Sequence, residues 1–174
     1  MASKIIGLTG KAGSGKDTVG AWLRSEHHYQ RIAMADALKK GLAAMGFPEP
    51  ESRADKESPI PGFNFTWRQA AQKLGTEWGR ELDKDIWLKV LKRELEHSLG
   101  NVIVTDIRFE NEAAMIRELG GSVWHVTGRQ AELGGAASHQ SEAGVVFVPG
   151  TDLMIDNSGS IADLHVKLGS IPNV

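Results

Sequence analysis

Residues 4–18, KIIGLTGKAGSGKDT, begin as an apolar, β-branched run and end as a glycine-rich loop entering a helix. Residues 4–9 have the composition of a short buried strand, which Gly10 stops. From Asp17 to about residue 26 the spacing turns helical, with Val19, Trp22 and Leu23 on one face. Between strand and helix, the glycines let successive backbone N–H groups turn inward around anionic oxygens. The helix N-terminus adds the positive end of its dipole, and a lysine in the position of Lys16 reaches β- and γ-phosphates. This context distinguishes a phosphate cradle from an ordinary glycine-rich turn. Lys11, Ala12, Gly13, Ser14, Gly15, Lys16, Asp17 and Thr18 are therefore expected to bind ATP, with Lys16 acting on the group transferred.

The residue after a phosphate-loop lysine is usually Ser or Thr, whose hydroxyl holds Mg2+. Here it is Asp17, followed by Thr18. Either the Asp17 carboxylate takes the metal, directly or through water, or Thr18 does. Residues 101–105, NVIVT, form a second buried strand running into Asp106, an arrangement in which the strand-end carboxylate positions magnesium. Arg108, two residues on, is expected on the ligand side, where its fork of donors suits a phosphate. The expected metal residues are thus Asp17, Thr18 and Asp106, and the expected cofactor is Mg2+.

Outward from these two segments, strands and helices alternate. A strand is expected at 32–33, a helix over 35–45, and a long proline-containing loop over 46–65. Thr66 and Gln69 have the spacing of a capping box opening a helix that Gly75 should interrupt. An amphipathic helix over 84–99 buries Ile86, Trp87, Val90, Leu91 and Leu95. A helix over 112–119, a strand over 123–126, a Gly/Ala-rich loop over 128–150, a strand over 153–155 and a helix over 160–168 complete the chain. This order predicts an α/β fold, a parallel sheet covered by helices on both faces. Ligands then sit beyond the carboxyl ends of the strands.

Bulk properties narrow the function. The 174 residues carry a formal net charge of −2, which gives no global attraction to nucleic acid polymers or an anionic membrane. With no cysteine, disulfides, thiolate metal sites and cysteine nucleophiles are excluded. The early apolar run 5–8 is too short for a signal sequence or a membrane span, so a cytoplasmic location is expected. Where the acceptor is itself a phosphate, its oxygen is already anionic and no general base is needed. The task is to hold two charged groups in line, which calls for Arg, Lys and Mg2+. Arg68, Arg80, Arg108 and Arg129 stand in contexts that suit it, with Gln72 sharing a helical face with Arg68.

The segments KIIGLTGKAGSGKDT, MADALK, TWRQAAQKLGTEWGRE, IVTDIRFENEA and HQSE together resemble the deoxynucleoside monophosphate kinases of many tailed phages and some bacteria. The resemblance runs in order over almost the whole chain, and GTE-x-x-R and D-x-R-F-x-N-E are its more specific parts. It implies a P-loop kinase with a core of about 1–45 and 100–174, a helical acceptor-binding insert of about 46–99, and a lid of about 128–150. Its implied substrates are ATP and a deoxynucleoside monophosphate, with Mg2+ as cofactor. Arg68, Gln72, Thr76, Glu77 and Arg80 are then acceptor contacts, with Asp36 and Lys39 bordering the same pocket and Asp106 and Arg108 reaching it. Arg129 swings over the phosphates with the lid, which also holds His139, Ser141 and Glu142, and Asn157 contacts the adenine. The resemblance allows a homodimer and, for a phage-encoded chain, the host cytoplasm. The rival readings are a kinase of another phosphorylated metabolite, of dephospho-coenzyme A or phosphomevalonate type, and a nucleotide-dependent switch or motor. A guanine-specific Asn-Lys-x-Asp tetrapeptide does not occur.

Overall fold

The computed structural model describes residues 3–11, 13–128, 145–172 and 174. Ala12, Arg129, His139, Ser141, Glu142 and most of the expected lid therefore lie outside the described residues. The chain forms two compact units, one of residues 1–33 and 97–174 and the other of residues 34–96.

The first unit contains β1 (Ile5–Thr9), α1 (Lys16–His27), β2 (Gln30–Ala33), β3 (Val102–Thr105), α7 (Glu110–Glu118), β4 (Ser122–Gly128), β5 (Leu153–Asn157) and α8 (Ile161–Gly169). The five strands are parallel in the order β2-β3-β1-β4-β5. Central β1 is buried at every residue, as its unbroken apolar composition requires of a strand covered on both faces. Alternate residues of β1 meet different helices. A Cβ on Gly7 would touch Ile107 and Ile116 of the α7 side, whereas Leu8 lies against Gly20 of α1. Ile6, Leu8, Ile103, Trp124, Val126 and Ile155 pack with Val19 and Leu23 of α1 and Leu164 and Leu168 of α8. Helices thus cover both faces, as expected. Each of these side chains contributes about 1.5–3 kcal/mol by leaving water.

A buried charged node ties the far edge of this unit together. Asp152, its side chain fully buried, accepts hydrogen bonds from Arg117 Nε at 3.2 Å and Arg117 Nη2 at 2.7 Å. The backbone N–H groups of Val123 and Val148 donate to it at 3.2 and 2.9 Å, and His125 Nε2 lies 3.3 Å away. One carboxylate therefore joins β4, α7 and the chain leading into β5.

The second unit is helical: α2 (Asp36–Ala44), α3 (Arg53–Glu57), α4 (Trp67–Gln72), a π-helical segment Lys73–Trp78, α5 (Gly79–Leu82) and α6 (Ile86–Glu96). The expected loop over 46–65 is more structured than its prolines suggest. Ser52 caps α3 through Asp55 N at 3.0 Å, and Phe47, Phe63 and Phe65 meet edge to face or tilted with centroids 5.2–5.6 Å apart. The Thr66–Gln69 capping box forms in both directions, at 3.1 and 2.8 Å. The helix it opens does not stop at Gly75. It widens into the π segment and continues to Leu82, because Gly75 packs where a side chain would meet Leu38 at 2.6 Å. This unit spans 34–96, and within it α2 packs on α4 and α6.

Candidate active site

The glycine-rich loop leaves β1 at its carboxyl end, and its shape depends on two residues that have no side chain. Gly15, the last residue before α1, has φ +100°, and a Cβ there would lie 2.2 Å from Asn157 Nδ2. Gly10 has φ +145°, and its Cβ would lie 2.3 Å from the Val126 carbonyl oxygen. The loop is thus pressed onto the ends of β4 and β5. Asn157 is buried and donates from Nδ2 to the Ser14 carbonyl at 2.9 Å. Enclosed beneath the loop, this amide N–H braces it.

Lys16 Nζ donates to the carbonyls of Gly10 at 2.8 Å and Lys11 at 3.0 Å, so the ammonium lies over its own loop. Ser14 is buried, and its hydroxyl has no hydrogen-bond partner among the described residues. Asp17 is exposed and Thr18 half-buried on the first turn of α1.

Beside the loop, β3 runs into the second expected segment. Ile107 N donates to the Leu8 carbonyl at 2.9 Å, which fixes this turn against β1. Asp106 has φ +69°, left-handed backbone that a non-glycine residue adopts at a cost. Its Oδ2 accepts from Arg108 Nε at 2.9 Å and also from Nη2. Glu112 Oε2 accepts the backbone N–H groups of Arg108 at 2.8 Å and Phe109 at 3.2 Å. Burial pushes the Glu112 carboxyl above its ordinary pKa, against the pull of those two donors. The D-x-R-F-x-N-E motif includes Glu112, and the structure gives it the work of shaping this turn. Its spacing from the turn, as of a helix N3 residue reaching back to the cap, was the available signal.

Among the described residues, no group of three or more His, Cys, Asp or Glu side chains is gathered as a metal site. The donors do suit Mg2+, which binds through one or two carboxylates plus substrate phosphates and keeps several waters. Asp17, Thr18 and Asp106 supply such donors at the neighbouring ends of β1 and β3.

In the helical unit, the expected acceptor residues separate. Arg68 and Gln72 line a cavity of about 370 Å³ with Lys56, Trp67 and Ala71. Arg68 is ion-paired with Glu57. Glu77 instead lines a different cavity of about 440 Å³ with Leu42, Phe47 and Trp78, and pairs with Lys73 at 3.0 Å. Thr76 and Arg80 are exposed. Asp36 opens α2, and Lys39 pairs with Glu49 at 2.9 Å.

Comparison with known proteins adds the decisive observation: residues 56–168 match the family model described as "Deoxynucleotide monophosphate kinase". The chain belongs to that family. A protein of Acanthamoeba polyphaga mimivirus is 27% identical over 94% of this chain and 93% of its own. The "Deoxynucleotide monophosphate kinase" of Escherichia phage RB69 is 33% identical over 64% of this chain and 48% of its own. The "Deoxynucleoside-5'-monophosphate kinase" of Escherichia phage T5 is 28% identical over 70% and 51%. The chain thus spans nearly all of the mimiviral relative and about half of the two phage relatives. Family membership makes it a phosphotransferase, a kinase of nucleoside monophosphates. In fold, this kinase is similar to the Thermus thermophilus protein TT1252, with TM-score 0.53 and 24% identity over 98% of this chain and 96% of the other. A Janibacter sugar kinase solved without ligand matches with TM-score 0.50 and 16% identity over 95% and 92%. No helix among the described residues is long and apolar enough to cross a membrane.

Proposed function

We propose that this kinase transfers the γ-phosphoryl group of ATP, in line, to the phosphate of a deoxynucleoside monophosphate, giving ADP and the deoxynucleoside diphosphate. The observation that supports it best is the cradle: a glycine-shaped loop braced by Asn157, with Lys16 over it and Arg108 on the adjoining strand end. An acceptor phosphate oxygen forms the new bond to the γ-phosphorus as the bond to the β,γ-bridging oxygen breaks. That oxygen is already anionic, so no side chain has to remove a proton. The loop N–H groups, the Ser14 hydroxyl, which has no partner among the described residues, and Lys16 bind the donor phosphates and meet the charge developing on the bridging oxygen. Asp106 and either Asp17 or Thr18 hold Mg2+, which when bound neutralises phosphate charge. Arg68 and Gln72, lining their cavity with Lys56, bind the acceptor.

ADP release measured across all deoxy- and ribonucleoside monophosphates, with dephospho-coenzyme A as a further acceptor, tests this reading. Turnover with one or more deoxynucleoside monophosphates is expected. Activity confined to dephospho-coenzyme A would replace the acceptor assignment.

Two variants address the two ends of the reaction. Arg68→Ala removes one cation of the acceptor cavity, so the acceptor KM should rise roughly tenfold while ATP affinity stays nearly unchanged. Loss of ATP affinity with unchanged acceptor kinetics would assign Arg68 to the donor side. Asp106→Asn replaces a carboxylate with a neutral amide, a poor partner for a hard cation. The Mg2+ concentration giving half-maximal rate should increase severalfold and the rate should fall with it. An unchanged Mg2+ titration in a destabilised variant would make Asp106 only a turn residue.

A further inference from the structure

Burial along the helix from Trp67 to Arg80 repeats every four residues. Trp67, Ala71, Gly75 and Gly79 are buried or half-buried, whereas Arg68, Gln72, Thr76 and Arg80 are all exposed. An uninterrupted α-helix cannot sustain that repeat. Each step of four residues overshoots a full turn by about 40°, so Arg80 would point roughly 120° away from Arg68. A π turn, closed by i→i+5 bonds, uses about one residue more per turn, so steps of four fall short rather than overshoot. The bond from Gly79 N to the Leu74 carbonyl is of this kind. Across Lys73–Trp78 the shortfall offsets the overshoot of the flanking α segments, which accounts for the four-residue burial repeat.

The segment is held open from one side. Trp87 of α6 donates from Nε1 to the Gly75 carbonyl at 2.7 Å. A Cβ on Gly79 would lie 2.9 Å from the Trp87 ring, and one on Gly75 would lie 2.6 Å from Leu38. The two glycines therefore allow α2 and α6 to press on the inner column, and the indole N–H occupies a carbonyl of the widened turn.

We propose that this π turn is a register device that keeps Arg80 in line with Arg68, Gln72 and Thr76, so that the four form one acceptor strip, with Trp87 as its positioning residue. The strip carries a guanidinium at each end and two neutral hydrogen-bonding side chains between them. Arg68 and Gln72, on the α-helical turn, are about 6 Å apart along the axis, and the steps through the wider π turn are shorter. A nucleoside monophosphate, with its anionic phosphate, polar ribose and hydrogen-bonding base edge, has the chemistry to lie along it. This inference rests on the acceptor reading given above.

Trp87→Phe keeps an aromatic ring, though a smaller one, and removes the N–H. It is expected to raise the acceptor KM about tenfold, more than it lowers kcat, and to move the ATP KM less than twofold. Arg80→Ala alone should raise the acceptor KM by a similar factor. Combined with Trp87→Phe it should add little, because Arg80 has already left the column, and the cycle should show at least about fivefold non-additivity. Independent, multiplying effects would overturn the proposal, as would a lower melting temperature with unchanged acceptor KM. Should Trp87→Phe fail to fold, Arg80→Ala alone still tests the strip: a raised acceptor KM with an unchanged ATP KM supports it, and an unchanged acceptor KM refutes it. Arg68→Ala alone separates the two levels. No change in acceptor KM there would overturn the acceptor reading, whereas a rise with no effect of Arg80→Ala would overturn only the strip.

Discussion

Lys16→Ala is expected to lower turnover at least about 100-fold with the fold intact, because it removes a charge aimed at the transferring group. The fold should survive because, among the described residues, Lys16 Nζ bonds to exposed loop carbonyls, of Gly10 and Lys11. The loop's shape is set elsewhere, by Gly10 against Val126 and by Gly15 and Ser14 against Asn157. Steady-state turnover with ATP and the best acceptor, alongside a melting curve, measures both halves of the expectation. A melting temperature near that of the parent with turnover down by two orders of magnitude is the expected result. Near-normal turnover would remove the phosphate-loop assignment.

Asp152→Asn should cost about 3 kcal/mol of stability, since it leaves the Arg117 guanidinium without its buried counter-charge. For a chain of this size that corresponds to a fall in melting temperature of roughly 10 °C. Burial alone would raise the Asp152 pKa, but Arg117 and the N–H groups of Val148 and Val123 outweigh it and hold the carboxyl at about 2. A carboxyl whose pKa is depressed by folding contributes stability that is fully present above its unfolded value, about 3.9. That contribution is lost as pH falls through about 2 in the folded state. The gap between parent and variant melting temperatures should therefore be widest near neutrality and shrink between about pH 4 and pH 2. A gap that persists undiminished at the acid end would mean that the node stabilises by packing rather than by charge.

The Asp152 node also shows where sequence reading stops. Nothing in the residues between Val148 and Leu153 distinguishes this aspartate from a turn residue. Its importance comes from Arg117 and Val123, which are distant in sequence and brought to it only by the β4–β5 pairing. Asn157 is a similar case. Its place before the last helix suggests a base contact; that its amide N–H also braces the loop follows only from the sheet order, which sets β5 next to β4.

What the sequence determined by itself was local and periodic: the apolar runs that became β1 and β3, the glycine loop between β1 and α1, the Thr66–Gln69 cap, and Asp106 and Arg108 just beyond a strand. These are legible because strand burial, capping and glycine backbone freedom depend on neighbours a few residues apart. Only the tertiary structure decided how far the helix from Trp67 extends and which side chains share its faces. Gly75 reads as an interruption in isolation, since glycine weakens a helix. In the folded unit, Leu38 and the Trp87 indole occupy the space and bond the carbonyl that glycine leaves open, so the same residue carries the helix onward as a π turn. Helix propensity is a fraction of a kcal/mol to about one per residue, too little to resist packing from two neighbouring helices.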